Sequence, residues 1–152
     1  MDNRDPLLNN QDLIDREEIR NLRILYAHHL DSNNIQSLDE VFSADAVMEI
    51  NIGRMVGLDA IRTGLKCAFE LFDRENRGRY PFMHVIANHW IKLTGPDTAE
   101  GRCYLVDFET APKPYSNQLS LLGVYADEYA LLQGRWRITR TRLEMVWPRR
   151  ND

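Results

Sequence analysis

Between Pro81 and Trp147 the chain is almost continuously β-forming, and no other feature restricts its fold so strongly. Four runs rich in Val, Ile, Tyr and Trp stand at Phe82 to Leu93, Thr98 to Thr110, Gln118 to Leu131 and Arg135 to Trp147. Short turn signals separate them: Gly95-Pro96-Asp97, a loop holding Pro112 and Pro114, and Gln133-Gly134. Consecutive hairpins of this kind imply a four-stranded antiparallel meander. A sheet that long needs an apolar cover on one face, and the N-terminal half supplies it.

Ile19, Leu22, Leu25, Tyr26 and Leu30 recur at helical intervals, with Asp12 or Asp15 as N-cap and Asp15 three residues before Glu18. That helix should end near Asp31, ahead of the turn formers Ser32, Asn33 and Asn34. Leu38, Val41 and Phe42 predict a short second helix closed by Ser43 and Asp45. A short strand over Val47 to Ile52 should turn at Gly53 and return through Met55 and Val56. From Leu58 the helical period resumes through Ile61, Leu65, Ala68, Phe69 and Phe72, ending in the charged stretch Asp73 to Arg79, a lid beside a cavity or a plain connection. The order predicts an α+β fold: three N-terminal helices packed on a curved, mostly antiparallel sheet, forming a cone with an internal pocket.

At 152 residues the chain is one domain, 15–148, between a flexible N-terminal segment 1–14 and a tail 149–152. A 43% apolar content is enough for a core at this length. The net charge of −4, with basic residues scattered outside the C-terminal segment, argues against a nucleic-acid or anionic-membrane partner. Cys67 and Cys103 are too few for a disulfide framework and lack zinc-site spacing. His28 and His29 diverge on a helix and His89 should face away from His84, so no metal set is expected. The polar, acidic N-terminus and the absence of a run of about 18 apolar residues point to the cytoplasm.

Strand alternation puts His84, Ile86, Asn88 and Trp90 on one face of the first long strand, with Met83, Val85, Ala87, His89 and Ile91 on the other. Cys103, Leu105 and Asp107 share a face of the next, and Trp136, Ile138, Arg140 and Arg142 a face of the last, where a bulge would exchange Arg140 for a neighbour. Asp107 and Arg140 are thus expected inside with the apolar residues around them, as pocket residues or as an interior ion pair. Asp31 at a helix C-terminus faces the negative end of the macrodipole and needs a partner; a histidine would serve, because the Asp–His bond fixes the imidazole tautomer and makes a base poised near neutral pH. Trp90, Trp136 and Tyr125 are expected as core or interface aromatics. Val85 and Ile91 on the outer face suggest a homo-oligomer, dimer or trimer, joined through the sheet.

Tyr26 and Asp31 on helix one, then LDEVFSADAV, GLDAI, HVIANHWI, GPDTAEGRCY, GVYADEY and GRWRITRTR, follow one another in an order that resembles the SnoaL-like branch of the nuclear transport factor two-like cone folds. The likeness runs from about Asp15 to about Trp147. Within that branch the chain is similar to the bile acid dehydratase and scytalone dehydratase type, which remove water from hydroxylated polycyclic substrates without a cofactor. The resemblance implies catalytic roles for Tyr26, Asp31 and His84, and substrate binding by Asp107 and Arg140. Scytalone dehydratase carries a second pocket histidine that this chain lacks, so it is the poorer match.

In that chemistry neutral His84 takes a proton from carbon next to a carbonyl, Asp31 stabilises the imidazolium, and Tyr26 donates to the enolate or the departing hydroxyl. The expected activity is a cofactor-independent dehydratase or isomerase for a hydrophobic cyclic hydroxy-carbonyl compound. The alternatives are a non-catalytic binding or scaffolding protein of the same fold, a dioxygenase small subunit, and an epoxide hydrolase with an Asp–Arg–Asp set.

Overall fold

The computed structural model describes residues 8–111 and 117–149, so residues 112–116 with Pro112 and Pro114, half of the expected segment 1–14 and all but residue 149 of the expected tail lie outside the described residues. Helix α1 runs over Asn10–Asp31, a 3₁₀ helix over Ile35–Glu40, and strands β1 and β2 over Phe42–Ile50 and Gly53–Val56. Helix α2 (Leu58–Phe72) follows, then β3 (Phe82–Leu93), β4 (Thr98–Glu109), β5 (Leu119–Leu132) and β6 (Arg135–Trp147). The six strands form one sheet in the order β2-β1-β6-β5-β4-β3. All neighbours are antiparallel except β1 and β6, so the N-terminal hairpin extends the C-terminal meander. This is an α+β fold with its helices packed against a mostly antiparallel sheet.

Three expectations at the N-terminal half need correction. The cap of α1 is Asn9, whose side chain accepts from Asp12 N at 2.8 Å while the Asp12 carboxylate accepts from Asn9 N at 3.1 Å. Asp12 is therefore the third residue of a capping box, and Asn10 to Ile14 form the opening of α1. Asp15 is buried instead, accepting from the Trp136 indole N–H at 3.0 Å. The second helix is a 3₁₀ turn, because β1 claims the chain from Phe42 onward: Ile138 N donates to Val41 O at 2.8 Å and Phe42 pairs with Ile138. Two α-helices and one short 3₁₀ helix thus stand where three helices were expected.

Residues from both helices and every long strand make one core, with Ile19, Leu38, Met48, Ile61, Cys103 and Ile138 fully inaccessible. Gly57 opens α2 at φ 88, a backbone setting that side chains disfavour. The stretch Asp73 to Arg79 is tied down. The Asp73 carboxylate accepts from the backbone N–H groups of Arg77 and Gly78 at 2.9 and 2.7 Å, and Asn33 donates to Gly78 O at 3.2 Å. Tyr80 N then donates to Asp31 O at 2.6 Å, closing the end of α1 onto the start of β3. Among the described residues, no helix is long and apolar enough to cross a membrane.

Two bulges decide which side chains face the helices. In β3 the two residues between Ala87 and Trp90 oppose the single residue between Tyr104 and Arg102 in β4, with Asn88 at φ 52. In β6 the step from Arg140 to Ile138 opposes the single step from Glu128 to Tyr129 in β5. Each extra residue inverts the alternation beyond it.

Candidate active site

Asp31 is the last residue of α1, where the helix dipole disfavours a negative charge. Two donors from β3 compensate. His84 N–H reaches Asp31 Oδ2 at 2.9 Å, and His84 Nδ1 donates to Asp31 Oδ1 at 2.6 Å. The imidazole is thereby fixed in position and tautomer, with Nε2 turned away from Asp31. Asp107, paired with His84 across β3 and β4, brings Oδ1 to 3.9 Å from that Nε2. The Phe82 ring meets the imidazole edge-on at 5.0 Å between centroids, and the Tyr26 ring does so at 6.2 Å.

Burial pulls the His84 pKa down, but the Asp31 hydrogen bond and the charges of Asp107 and Asp31 outweigh it, leaving the imidazole above its ordinary range. Burial pushes the Tyr26 and Tyr125 phenols up, so both remain protonated donors. Their rings meet edge-on, with centroids 6.1 Å apart.

Tyr26, His84, Asp107 and Tyr125 face a cavity of about 70 Å³ whose remaining wall is mostly apolar, with Leu65, Phe72 and Leu121 among its residues. Asn51 and Ile52, in the turn between β1 and β2, are its exposed residues and mark its mouth. The structure thus brings Tyr26, Asp31, His84 and Asp107 together, and adds Tyr125.

Arg140 does not join them. The β6 bulge turns its side chain to the outer face, 49% exposed, where it lies 3.4 Å from Glu49. Thr141 takes the inward position and is fully buried. The Asp–Arg half of an epoxide hydrolase set is therefore not assembled. The β3 bulge likewise reverses two other expectations: His89 points inward with His84, and Ile91 is buried while Trp90 is 54% exposed.

Sequence reasoning missed Arg23. Its fully buried guanidinium donates to Asp127 through Nε at 3.1 Å and Nη2 at 2.6 Å, and through Nη2 to Thr141 Oγ1 at 2.7 Å. It lies 3.8 Å from the Tyr125 ring centroid and 4.8 Å from that of Tyr26. Tyr129 donates to Asp127 Oδ2 at 3.0 Å and accepts from His89 Nε2 at 3.0 Å. The signal was present: Arg23 interrupts the apolar stripe of α1, and Asp127 stands between Tyr125 and Tyr129 on the inner face of β5. His89, Cys103 and Asp127 have ligand atoms within 4.8 Å of one another. Arg23 and Tyr129 already hold the Asp127 carboxylate, and a fixed guanidinium at 2.6 Å makes this grouping a poor host for a cation.

A family model described as a SnoaL-like domain matches residues 11–142. No curated protein matches the chain. Among solved structures, a protein of unknown function with a cystatin-like fold from Nostoc punctiforme superposes with a TM-score of 0.76 at 18% identity, over 93% of this chain and 96% of its own. A protein from Novosphingobium aromaticivorans provisionally named an aromatic ring hydroxylase gives 0.72 at 25% identity, over 90% and 92%. Another from the same organism, provisionally named a scytalone dehydratase, gives 0.74 at 22% identity, over 89% and 86%.

Proposed function

The chain belongs to the SnoaL-like domain family, and from that premise we propose that it is a cytoplasmic, cofactor-independent general acid–base enzyme, a dehydratase or isomerase of hydrophobic cyclic hydroxy-carbonyl compounds. The observation that carries this reading is the 2.6 Å bond from His84 Nδ1 to Asp31 beside the cavity, which leaves Nε2 as the base. His84 Nε2 removes a proton from carbon adjacent to the substrate carbonyl, and the electron pair moves onto the carbonyl oxygen. Asp31 stabilises the imidazolium, and the hydroxyl pair of Tyr26 and Tyr125 donates to the enolate oxygen. In dehydration the enolate expels the β-hydroxyl, which takes the proton from His84 and leaves as water. In isomerisation the same proton returns to a different carbon. Asp107 binds the substrate hydroxyl beside Nε2.

Replacing His84 by Ala tests the reading against a panel of steroid-like and polyketide-like hydroxy ketones. Turnover should fall by about 10²-fold or more, the contribution of a positioned base, with an unchanged far-UV circular dichroism spectrum. Retention of most activity rules His84 out as the base. The size of the cavity, about 70 Å³, is what favours the second reading, a non-catalytic binding or scaffolding protein; absence of turnover across the panel selects it. Exposed Met83, Val85, Tyr104 and Phe108 on the outer sheet face support a homo-oligomer, dimer or trimer.

A further inference from the structure

The cavity at His84, about 70 Å³, is less than half of the roughly 150 Å³ that encloses a benzene ring. It accepts the reacting hydroxy-carbonyl end of a molecule and little else. The apolar body of the substrate must lie elsewhere, and a second concavity begins where the first one opens. This groove of about 310 Å³ runs between α2 and the β1–β2 hairpin. Ile52 and Ala68 line both spaces, so the groove adjoins the mouth of the cavity.

The far wall of the groove is built for apolar contact. Leu71 is 75% exposed and Ile52 46%, an arrangement that costs hydrophobic free energy unless something covers them. Gly64 sits in the interior of α2, where alanine would favour the helix; a Cβ there would collide with Met55 Sδ. Gly64 therefore leaves room for the Met55 side chain, which forms one side of the groove. Cys67, exposed on the same face of α2, completes it.

We propose that this groove is an apolar subsite, and that the substrate is an elongated molecule: a small hydroxy-carbonyl head reaching His84 and an alkyl or ring body lying against Ile52, Met55, Ala68 and Leu71. The proposal rests on the proton-transfer reading for the identity of the head, and places the body outside the inner cavity. A cyclic substrate meets this division with its rings in the groove rather than enclosed around His84, and a β-hydroxy ketone with an apolar arm meets it in the same way.

The test is a homologous series of 4-hydroxyalkan-2-ones, from the butanone to the decanone, with binding measured calorimetrically in the wild type and in His84→Ala. Full burial of a methylene is worth about fourfold in affinity, and an open groove should give about twofold per methylene. The gradient should be the same in His84→Ala. It should flatten in Leu71→Glu, survive in Leu71→Met, and flatten again when Cys67 is alkylated with N-ethylmaleimide. The second thiol, Cys103, is buried and pushed up to about 12 by that burial, so it does not compete for the reagent. A flat series in the wild type, or a gradient indifferent to both Leu71→Glu and alkylation, overturns the subsite. A groove-dependent gradient without turnover upholds the subsite and overturns the proton-transfer reading alone.

Discussion

Helix α1 carries one member of each of two buried acid–cation pairs, Arg23 with Asp127 and Asp31 with His84, roughly 12 Å apart along its axis. The first is fully buried, although Arg23 Nη1 has no hydrogen-bond partner. Its guanidinium is held by two oxygens of Asp127 and by Thr141, and lies against the rings of Tyr26 and Tyr125. Burial pulls the arginine pKa down, but Asp127 more than restores it, so the guanidinium stays charged at any ordinary pH. The second pair has a cation that titrates and a ring nitrogen facing a cavity. Burial and an aspartate are common to both. What separates the two pairs is a releasable proton with space beside it.

That contrast breaks most visibly in stability. Arg23→Met should cost about 3–5 kcal/mol, because it leaves Asp127 charged, buried and without its cation. Adding Asp127→Leu should recover at least half of the loss, since a buried pair replaced by apolar residues is often close to neutral. Urea unfolding at pH 7 measures both. A loss below about 1 kcal/mol in the single variant would mean that water reaches this end of the core.

The second contrast is in pH. His84 is held above 6.5, so kcat/KM should climb along a limb centred above that value as the base loses its proton. Asp107→Asn removes one of the charges that raise it and should move the limb to lower pH. The protonated His84 also stabilises the fold; this contribution is complete below 6.5 and is lost as pH rises through the raised pKa. His89 behaves in the opposite way. Burial pushes it down to about 4, so its contribution is present above 6.5 and is lost as the pH falls towards 4. His89→Gln should flatten the acid side of a thermal-melting series between those values and leave the kcat/KM limb where it was. An acid side unchanged by that variant would place the sensitivity in another group.

The strands of the meander were legible almost to the residue, because hairpin turns and β-branched runs are local signals. Both ends of α2 and the C-terminal end of α1 were legible for the same reason. The 3₁₀ helix was not. Residues 38–42 have a helical period, yet Phe42 is drawn into β1 by a partner in β6, nearly a hundred positions away. The Asp31–His84 pair was readable as two residues with complementary needs, a carboxylate at the wrong end of a dipole and an inward strand histidine. Arg140, His89, Trp90 and Ile91 were misplaced for one physical cause. A strict period of two fails after an inserted residue, and nothing local in Asn88 or Thr139 announces the insertion. Arg23 and Asp127 were legible in principle as single charges on otherwise apolar faces.

The smallest effect belongs to the neighbours that the β6 bulge separates. Arg140 and Thr141 are adjacent in sequence, one 49% exposed beside Glu49 and the other fully buried against Arg23. An exposed ion pair contributes about 0–1 kcal/mol. A buried hydroxyl that accepts from a guanidinium is worth about 1.5–3 kcal/mol, since its loss leaves a charged donor unsatisfied. Thr141→Val should therefore destabilise the protein measurably, whereas Arg140→Ala should change neither the urea midpoint nor kcat/KM by more than about twofold in the corresponding constant. Had the strand kept its simple alternation, Arg140 would face the cavity and the ranking would be reversed. A large activity loss in Arg140→Ala would accordingly place the guanidinium inside and refute the bulge as the reason for its exclusion.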